Sequence, residues 1–146
     1  MIRPVIRPSG LIVSGKKILL LRYRYGNHDR FNLPGGNLEG DESLLDCLIR
    51  EFNEELNLTV TPKELLYVAE TRTDKTTVHL VFRMEHRGEP CLNPDQVRAS
   101  ELLWLPACEL IAAPLYPAIG SALAAWLKES PQPVHLGRIE QPWFPN

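Results

Sequence analysis

A chain of 146 residues is long enough to bury one hydrophobic core but too short for two, which predicts a single domain. Its 44% hydrophobic and 23% charged residues exclude a disordered chain, and its net charge of −2 lacks the basic field that polynucleotide binding requires. No segment approaches the roughly 20 apolar residues of a membrane span, and the charged, proline-containing N-terminus does not fit a signal peptide, so we expect a cytoplasmic protein.

The N-terminal region predicts a β-hairpin. Apolar residues 11–13 and 18–21 flank a Ser-Gly-Lys-Lys turn at residues 14–17, as the strands of a hairpin do. The second strand continues to Tyr25, and the alternation of a strand sends Arg22 and Arg24 to one face. These two arginines could bind one anionic group, or they could be solvated charges at a strand end.

A loop and a helix follow. Residues 26–41 are rich in Gly, Asn, Asp and Pro, which predicts a loop, and the helix is predicted from about Glu42 to Leu56. Asp41 is the predicted N-cap, and Asn57 tolerates the left-handed geometry of a helix end. The predicted buried stripe repeats at intervals of three and four residues: Leu45, Leu48, Ile49, Phe52 and Leu56.

The second half of the chain alternates strands and helices. Strands are predicted at residues 65–69, 77–83 and 102–105, where apolar, β-branched and aromatic residues cluster. Ala107 to Ile111 predicts one or two helical turns, and Tyr116 to Lys128 predicts a second long helix. This order of elements indicates an α/β or α+β layered domain.

We place the domain at residues 1–130 and a Pro-rich, extended C-terminal tail at residues 131–146. Trp143 and Phe144 of this tail are expected to dock on the domain or on a partner subunit. His79 lies inside an apolar strand, where a core histidine is expected more than a catalytic one. The three cysteines are odd in number and form no CxxC pair, so reduced thiols are expected rather than disulfides or a zinc site.

Three glutamates share one arc of the predicted helix. On a helical wheel Glu51, Glu54 and Glu55 lie together, away from the apolar stripe. Like charges at these spacings repel, and anions in the C-terminal half of a helix oppose its dipole. A divalent cation would offset the repulsion, because oxygen ligands from adjacent turns can converge on one hard ion. These residues alone leave a solvated acidic face open as the alternative.

A motif of fixed spacing runs from Gly36 to Leu58. After Gly36 come five residues and Glu42, then seven residues and the run Arg-Glu-Phe-Asn-Glu-Glu-Leu-Asn-Leu. The motif resembles the Nudix box, G-x5-E-x7-R-E-U-x-E-E-x-G-U, where U is a bulky apolar residue. Only Asn57 departs, standing where the family has glycine, and asparagine is the next best left-handed residue. The preceding Leu-Pro-Gly also resembles the family's lead-in, and the similarity extends over roughly residues 1–128.

The resemblance to Nudix (MutT-like) hydrolases implies a fold and a set of roles. The implied fold is α/β, with a mixed central β-sheet sandwiched between helices, and the implied cofactor is Mg²⁺, with Mn²⁺ as a substitute. The implied metal ligands are three glutamates and one backbone carbonyl: Glu51, Glu54, Glu55 and Gly35. Arg50 would pair with Glu42 and a neighbouring helix carboxylate, which would hold the metal ligands in place.

Candidates for proton transfer and substrate binding are less sharply defined. Within the motif Glu54 is favoured as the general base, and each acid outside it could equally be a solvated loop carboxylate. The acids outside the motif are, in falling order, Asp95, Glu101, Glu85 and Glu89. The candidate substrate contacts are Arg22 and Arg24 for phosphate, Phe31 or Tyr25 for base stacking, and Gly36.

The predicted function is Mg²⁺-dependent hydrolysis of a diphosphate linkage in a nucleoside diphosphate derivative, with ADP-ribose or a nucleotide sugar favoured. Alternatives are a house-cleaning nucleoside triphosphate pyrophosphohydrolase, a non-catalytic nucleotide-binding regulator, and an interaction module with a merely solvated acidic helix. The predicted partner is a small-molecule nucleotide rather than a polynucleotide or a membrane, and a homodimer is left open.

Overall fold

The computed structural model describes residues 2–130 and 133–142. Its elements in chain order are β1 (Val5–Leu11), β2 (Val13–Ser14), β3 (Lys17–Tyr25), β4 (His28–Asn32), α1 (Leu44–Leu56), β5 (Thr59–Arg72), β6 (Thr76–Arg87), β7 (Glu101–Pro106), α2 (Ala107–Leu110), β8 (Leu115–Tyr116), α3 (Gly120–Leu127) and β9 (His135–Arg138). The predicted α/β class is confirmed. None of these helices is long and apolar enough to cross a membrane, and the three cysteines are free thiols.

The strands form two sheets. One sheet has the order β1-β6-β5-β9, and the other has the order β2-β3-β4-β8 with β7 paired to β3. Strand β3 is apolar on both faces: Ile18 and Leu20 join one core cluster, whereas Leu19 and Leu21 join a second. A strand covered on both faces requires a continuous apolar run, which explains why β3 does not alternate.

The predicted N-terminal hairpin forms only in part. Val13 and Ser14 pair with β3 across the predicted turn, but β1 instead runs parallel to β6. The chain therefore crosses from one sheet to the other at Ile12, which leaves β1 beside the loop that precedes α1.

Helix α1 begins later than predicted. Its N-cap is Ser43, whose hydroxyl accepts a hydrogen bond of 3.1 Å from the backbone N–H of Asp46, so Asp41 as the N-cap was wrong. The carboxylate of Glu42 is held outside the helix, where it accepts from the backbone N–H of Glu39 at 3.0 Å. The helix ends as predicted at Asn57, which has a left-handed φ of 52°.

The buried face of α1 is rotated from the predicted stripe. Leu45 and Ile49 are 43% and 44% exposed, whereas Glu51 is only 9% exposed. Three residues of the stripe are buried as predicted: Leu48, Phe52 and Leu56. The helix therefore turns part of its acidic side towards the protein interior, where two apolar residues had been expected.

The C-terminal elements also differ from the prediction. Residues 115–116 form β8, paired in parallel with β4, and α3 begins only at Gly120. The tail from residue 131 is extended where the structure describes it, but β9 pairs with β5. The side chain of Gln141 also bonds to the backbone of Ala118 at 2.7 Å and of Leu115 at 3.0 Å. Trp143 and Phe144 lie outside the described residues.

His79 lies on β6 in the interior and is fully buried, as predicted for a core histidine. Its Nε2 is 2.8 Å from the hydroxyl of Thr71, and its ring meets the ring of Tyr116 edge-on, with 5.0 Å between centroids. Burial, and secondly the charge of Arg7, lower the pKa of His79 to about 3. The ring is therefore neutral in the folded protein near pH 7.

This buried histidine predicts a pH-dependent stability. Between the unfolded pKa of 6.5 and the folded pKa of about 3, the unfolded chain binds more protons at His79, so the free energy of unfolding falls with falling pH. The contribution of His79 to the free energy of unfolding is complete above pH 6.5. Below pH 6.5 it decreases by up to about 1.4 kcal/mol per pH unit. Urea unfolding between pH 4 and pH 7 should show a steeper decline for the wild type than for His79→Gln. His86→Gln, on the same strand, is the control, and equal slopes for His79→Gln and the wild type would contradict the prediction.

Candidate active site

The loop before α1 is fixed against β1 and against the helix. The backbone N–H of Gly10 donates to Pro34 O at 2.8 Å, and that of Gly36 donates to Pro8 O at 3.2 Å. A Cβ at Gly35 would collide with the carbonyl oxygen of Pro8, and a Cβ at Gly36 would collide with the carboxylate of Glu51. Both glycines are required by close approach, and Glu51 presents its carboxylate directly to the loop backbone.

Arg50 lies at the centre of the acidic cluster. Its Nε and Nη2 donate to the two carboxylate oxygens of Glu42 at 3.0 and 2.8 Å, a bidentate geometry that arginine favours. Its Nη1 donates to Glu51 at 3.1 Å and to Glu54 at 3.3 Å. The hydrogen bond from Arg50 is the main cause that lowers the pKa of Glu42 to about 2. Arg50 therefore ties the segment before the helix to two carboxylates on the helix.

Glu51 and Glu55 form a contacting pair of carboxyl groups on α1. Burial, followed by the hydrogen bond and the charge of Glu51, raises the pKa of Glu55 to about 8. Glu54 differs, because its side chain is 42% exposed and its nearest charged partner is Arg50. The helix thus separates its acids into a contacting pair, with Glu51 buried and Glu55 half-buried, and one carboxylate beside Arg50.

Glu51 and Glu55 are in contact, whereas Glu54 lies beside Arg50, so the set of three metal ligands stays a prediction. Across residues 2–130 and 133–142, no three His, Cys, Asp or Glu side chains are arranged to hold a metal ion. The Glu51–Glu55 pair nevertheless fits Mg²⁺, since carboxylate oxygens are the ligands this ion prefers. A cation at the pair would also offset the burial and repulsion that raise the pKa of Glu55. Glu51 of the pair lies against Gly36, next to Gly35, whose carbonyl is the fourth candidate ligand.

Comparison with known proteins agrees with this arrangement. A model of the Nudix domain matches residues 6–127. The chain belongs to the Nudix family. The predicted family and fold are therefore confirmed, and the motif from Gly36 to Leu58 is its Nudix box.

Individual relatives are more distant. The chain is similar to an RNA pyrophosphohydrolase of Coxiella burnetii, with 33% identity over 90 residues, and the match covers 60% of this chain but only 39% of that relative. A MutT Nudix hydrolase from Burkholderia pseudomallei is 28% identical, with a TM-score of 0.64 and coverage of 73% of this chain and 85% of the other. The ORF135 protein of E. coli is 22% identical, with a TM-score of 0.74 and coverage of 86% and 90%, and shows the same fold.

The two arginines of β3 do converge on one anionic group, which is a carboxylate of the protein itself. Arg22 donates to Asp29 at 2.6 Å and to Glu101 at 2.5 Å, and Arg24 lies 3.7 Å from Asp29. Phe31 packs against the core cluster of Leu20. These contacts engage both terminal nitrogens of Arg22, while Arg24 is the more exposed of the two arginines.

The loop that carries Asp95 is attached to the end of the Nudix box helix. Asn93 donates from its side chain to Glu54 O at 3.0 Å and from its backbone to Glu55 O at 2.8 Å. Its side-chain oxygen accepts from the backbone N–H of Asp95 at 3.2 Å. Sequence reasoning missed Asn93, because a residue that satisfies a distant helix end leaves no local pattern.

Arg7 is the other residue that sequence reasoning missed. It is only 8% exposed on β1, its Nη2 donates to Leu33 O at 3.1 Å, and its guanidinium lies 5.1 Å from the ring centre of Tyr116. Burial lowers the pKa of Arg7, whereas Tyr116, Glu55 and other nearby groups act in the opposite direction. A single arginine in an apolar strand would have been the only signal.

Arg50→Lys tests the bidentate contact with Glu42. A lysine keeps the charge but cannot make the two parallel hydrogen bonds, so we expect a loss of about 1–2 kcal/mol in the free energy of unfolding. Activity should fall at least tenfold, because the helix carboxylates lose their fixed positions. Arg83→Lys, which alters a surface pair with Glu64, is the matched control and should cost about 0.5 kcal/mol or less. Equal losses in the two variants would contradict a special role for Arg50.

Asn93→Ala tests the attachment of the loop to the helix. The variant removes the side-chain hydrogen bonds to Glu54 O and from Asp95 N, which should cost about 1–3 kcal/mol in urea unfolding. Hydrogen exchange should then increase at the backbone amides of residues 93–97. Asn37→Ala is the control and should leave hydrogen exchange in this loop unchanged. If Asn93→Ala also leaves it unchanged, other contacts hold the loop in place.

Proposed function

We propose that the chain hydrolyses a diphosphate linkage in a nucleoside diphosphate derivative, with Mg²⁺ as cofactor and with ADP-ribose or a nucleotide sugar as the first candidate substrate. The observation that carries this proposal is the Arg50 cluster, which keeps Glu51 against the loop of Gly35 and Gly36. The Nudix family membership supports the reaction class, and Mn²⁺ is the substitute metal to test.

The residues divide the chemistry between them. Glu51 and Glu55 would hold Mg²⁺, which when bound neutralises phosphate charge and lowers the pKa of water. Glu54 is the candidate general base, because it is the box carboxylate outside the contacting Glu51–Glu55 pair and its hydrogen bond from Arg50 is long, at 3.3 Å. A base must be free to accept a proton, and a partly exposed carboxylate with one weak partner meets that requirement.

A second acid would come from outside the box. Asp95 remains the first candidate, because Asn93 fixes its loop to the backbone of Glu54 and Glu55. Glu101 is the weaker candidate, since Arg22 already binds its carboxylate. Glu85 lies near Lys63 and Arg83 on β6, where surface ion pairs account for it.

The alternative substrates need direct comparison. The Coxiella burnetii relative is an RNA pyrophosphohydrolase, which adds RNA to the candidate substrates to be compared. A net charge of −2 supplies little attraction for a polynucleotide, so the small nucleotide is preferred. A non-catalytic regulator is the less favoured hypothesis, because Arg50 and all three glutamates of the Nudix box are present.

A substrate panel decides among these reactions. Purified chain with Mg²⁺ or Mn²⁺ is incubated with ADP-ribose, sugar nucleotides, dinucleoside polyphosphates, nucleoside triphosphates and 5′-triphosphate RNA, and released phosphate or nucleotide is measured. We expect the highest kcat/KM on ADP-ribose or a sugar nucleotide. A higher value on triphosphates would favour the house-cleaning reaction, and no turnover on any substrate would favour the regulator.

Glu54→Gln tests the candidate base. The substitution should lower kcat by at least a hundredfold on the best substrate of the panel. The melting temperature should stay the same or rise, because the helix loses one of its repelling charges and only a partly exposed ion pair. Glu39→Gln is the matched control, since Glu39 also lies near Arg50, at 3.7 Å, but precedes the helix. Turnover equal to that of the wild type would exclude Glu54 as the base.

A further inference from the structure

Arg7 is a buried cation whose hydrogen bonds are incomplete. The side chain is 8% exposed, and its Nη1 is buried without a hydrogen-bond partner among the described residues. Its Nη2 is bound to the carbonyl of Leu33, and the ring of Tyr116 lies against the guanidinium. Arginine is always charged in proteins. Burial lowers the pKa of Arg7, whereas the charges of Glu55 and Glu51 act to raise it. Its hydrogen bond is nevertheless made to a backbone carbonyl and not to a carboxylate.

Such an arrangement is costly for the free protein. Removing a charge from water costs several kcal/mol unless an opposite charge or a full set of hydrogen bonds compensates for it. A backbone carbonyl and an aromatic face compensate only in part. A structural arginine would be expected to use its remaining donor, so the unpaired Nη1 points to a partner that is not part of the chain.

The surroundings define the chemistry of that partner. Arg7 lies on β1 beside the loop that contains Gly35 and Gly36, through its bond to Leu33 O. Two further polar atoms near this loop are buried without partners, the hydroxyl of Ser9 and the side-chain oxygen of Asn32. Ser9 faces Gly35 in a β-bridge. The site is therefore polar, cationic and adjacent to the candidate metal ligands.

We propose that Arg7 binds a phosphate group of the substrate, and so positions the diphosphate beside the box carboxylates. The inference rests on the proposed function for the identity of the substrate, but phosphate binding can be measured without turnover. A phosphate oxygen accepts a charge-assisted hydrogen bond and supplies the missing negative charge, whereas a neutral group would supply only the hydrogen bond. Arg7 is thus a substrate-binding residue outside the Nudix box.

The test measures binding of methylenediphosphonate, a diphosphate analogue that cannot be hydrolysed, by calorimetry in the presence of Mg²⁺. Arg7→Met should weaken binding at least tenfold relative to the wild type. The affinity of Arg7→Lys should lie between those of the wild type and Arg7→Met, because lysine keeps the positive charge but lacks the paired donors of the guanidinium group. Arg83→Met, which removes a surface cation distant in sequence from the box, should bind like the wild type. Circular dichroism and melting temperature establish that each variant is folded. If Arg7→Met does not fold, the affinity of Arg7→Lys is compared with that of the wild type instead.

Each outcome decides the inference separately from the proposed reaction. Equal affinities for the wild type, Arg7→Lys and Arg7→Met would overturn the role of Arg7, as would a wild type that binds no diphosphonate at millimolar concentration. Weakened binding of adenosine or guanosine with unchanged binding of the diphosphonate would also overturn it and would assign Arg7 to the base. Weakened diphosphonate binding in a chain that turns over no nucleotide would sustain the inference while the proposed hydrolysis failed.

Discussion

The candidate site depends on one cation, Arg50, placed among four carboxylates. Its guanidinium reaches Glu39 and Glu42 before the helix and Glu51 and Glu54 on it. Without this cation the acids on adjacent turns would repel each other and extend into solvent. The planar guanidinium group also fixes the orientation of the Arg50 side chain. Its two parallel hydrogen bonds to Glu42 leave only Nη1 to donate to the helix carboxylates. The positions of the box acids therefore follow from arginine geometry as much as from the helix.

The resemblance to the Nudix box made this part of the site predictable from the sequence. The resemblance implied the pairing of Arg50 with Glu42, and the residue type at Asn57 indicated a left-handed helix end. The orientation of the helix did not follow, because apolar spacing shows which residues can be buried but not which side the sheet covers. Leu45 and Ile49 are partly exposed, and Glu51 is buried, because the loop glycine at position 36 admits its carboxylate.

Contacts between segments that are distant in the sequence could not be predicted from the sequence. Asn93 satisfies carbonyls of a helix that ends at Leu56, and Glu101 binds Arg22 across two paired strands. Neither contact has a periodicity or a motif. The same reason explains why β9 was expected to be part of an extended tail rather than a strand of a sheet, since its pairing with β5 depends on an open sheet edge that exists only after folding.

The Nudix box is local in the sequence, whereas the other candidate substrate contacts are not, and this difference bears on substrate specificity. The box and its arginine are local, so they can be kept in many chains and define a reaction class without defining a substrate. Groups that would contact the substrate outside the box lie on separate strands, such as Arg7 on β1 and Asn32 on β4. These two strands belong to different sheets. If Arg7 contacts the substrate as proposed, substrate choice would depend on how the two sheets pack, and changes at β1 could alter it while the acidic helix stays the same.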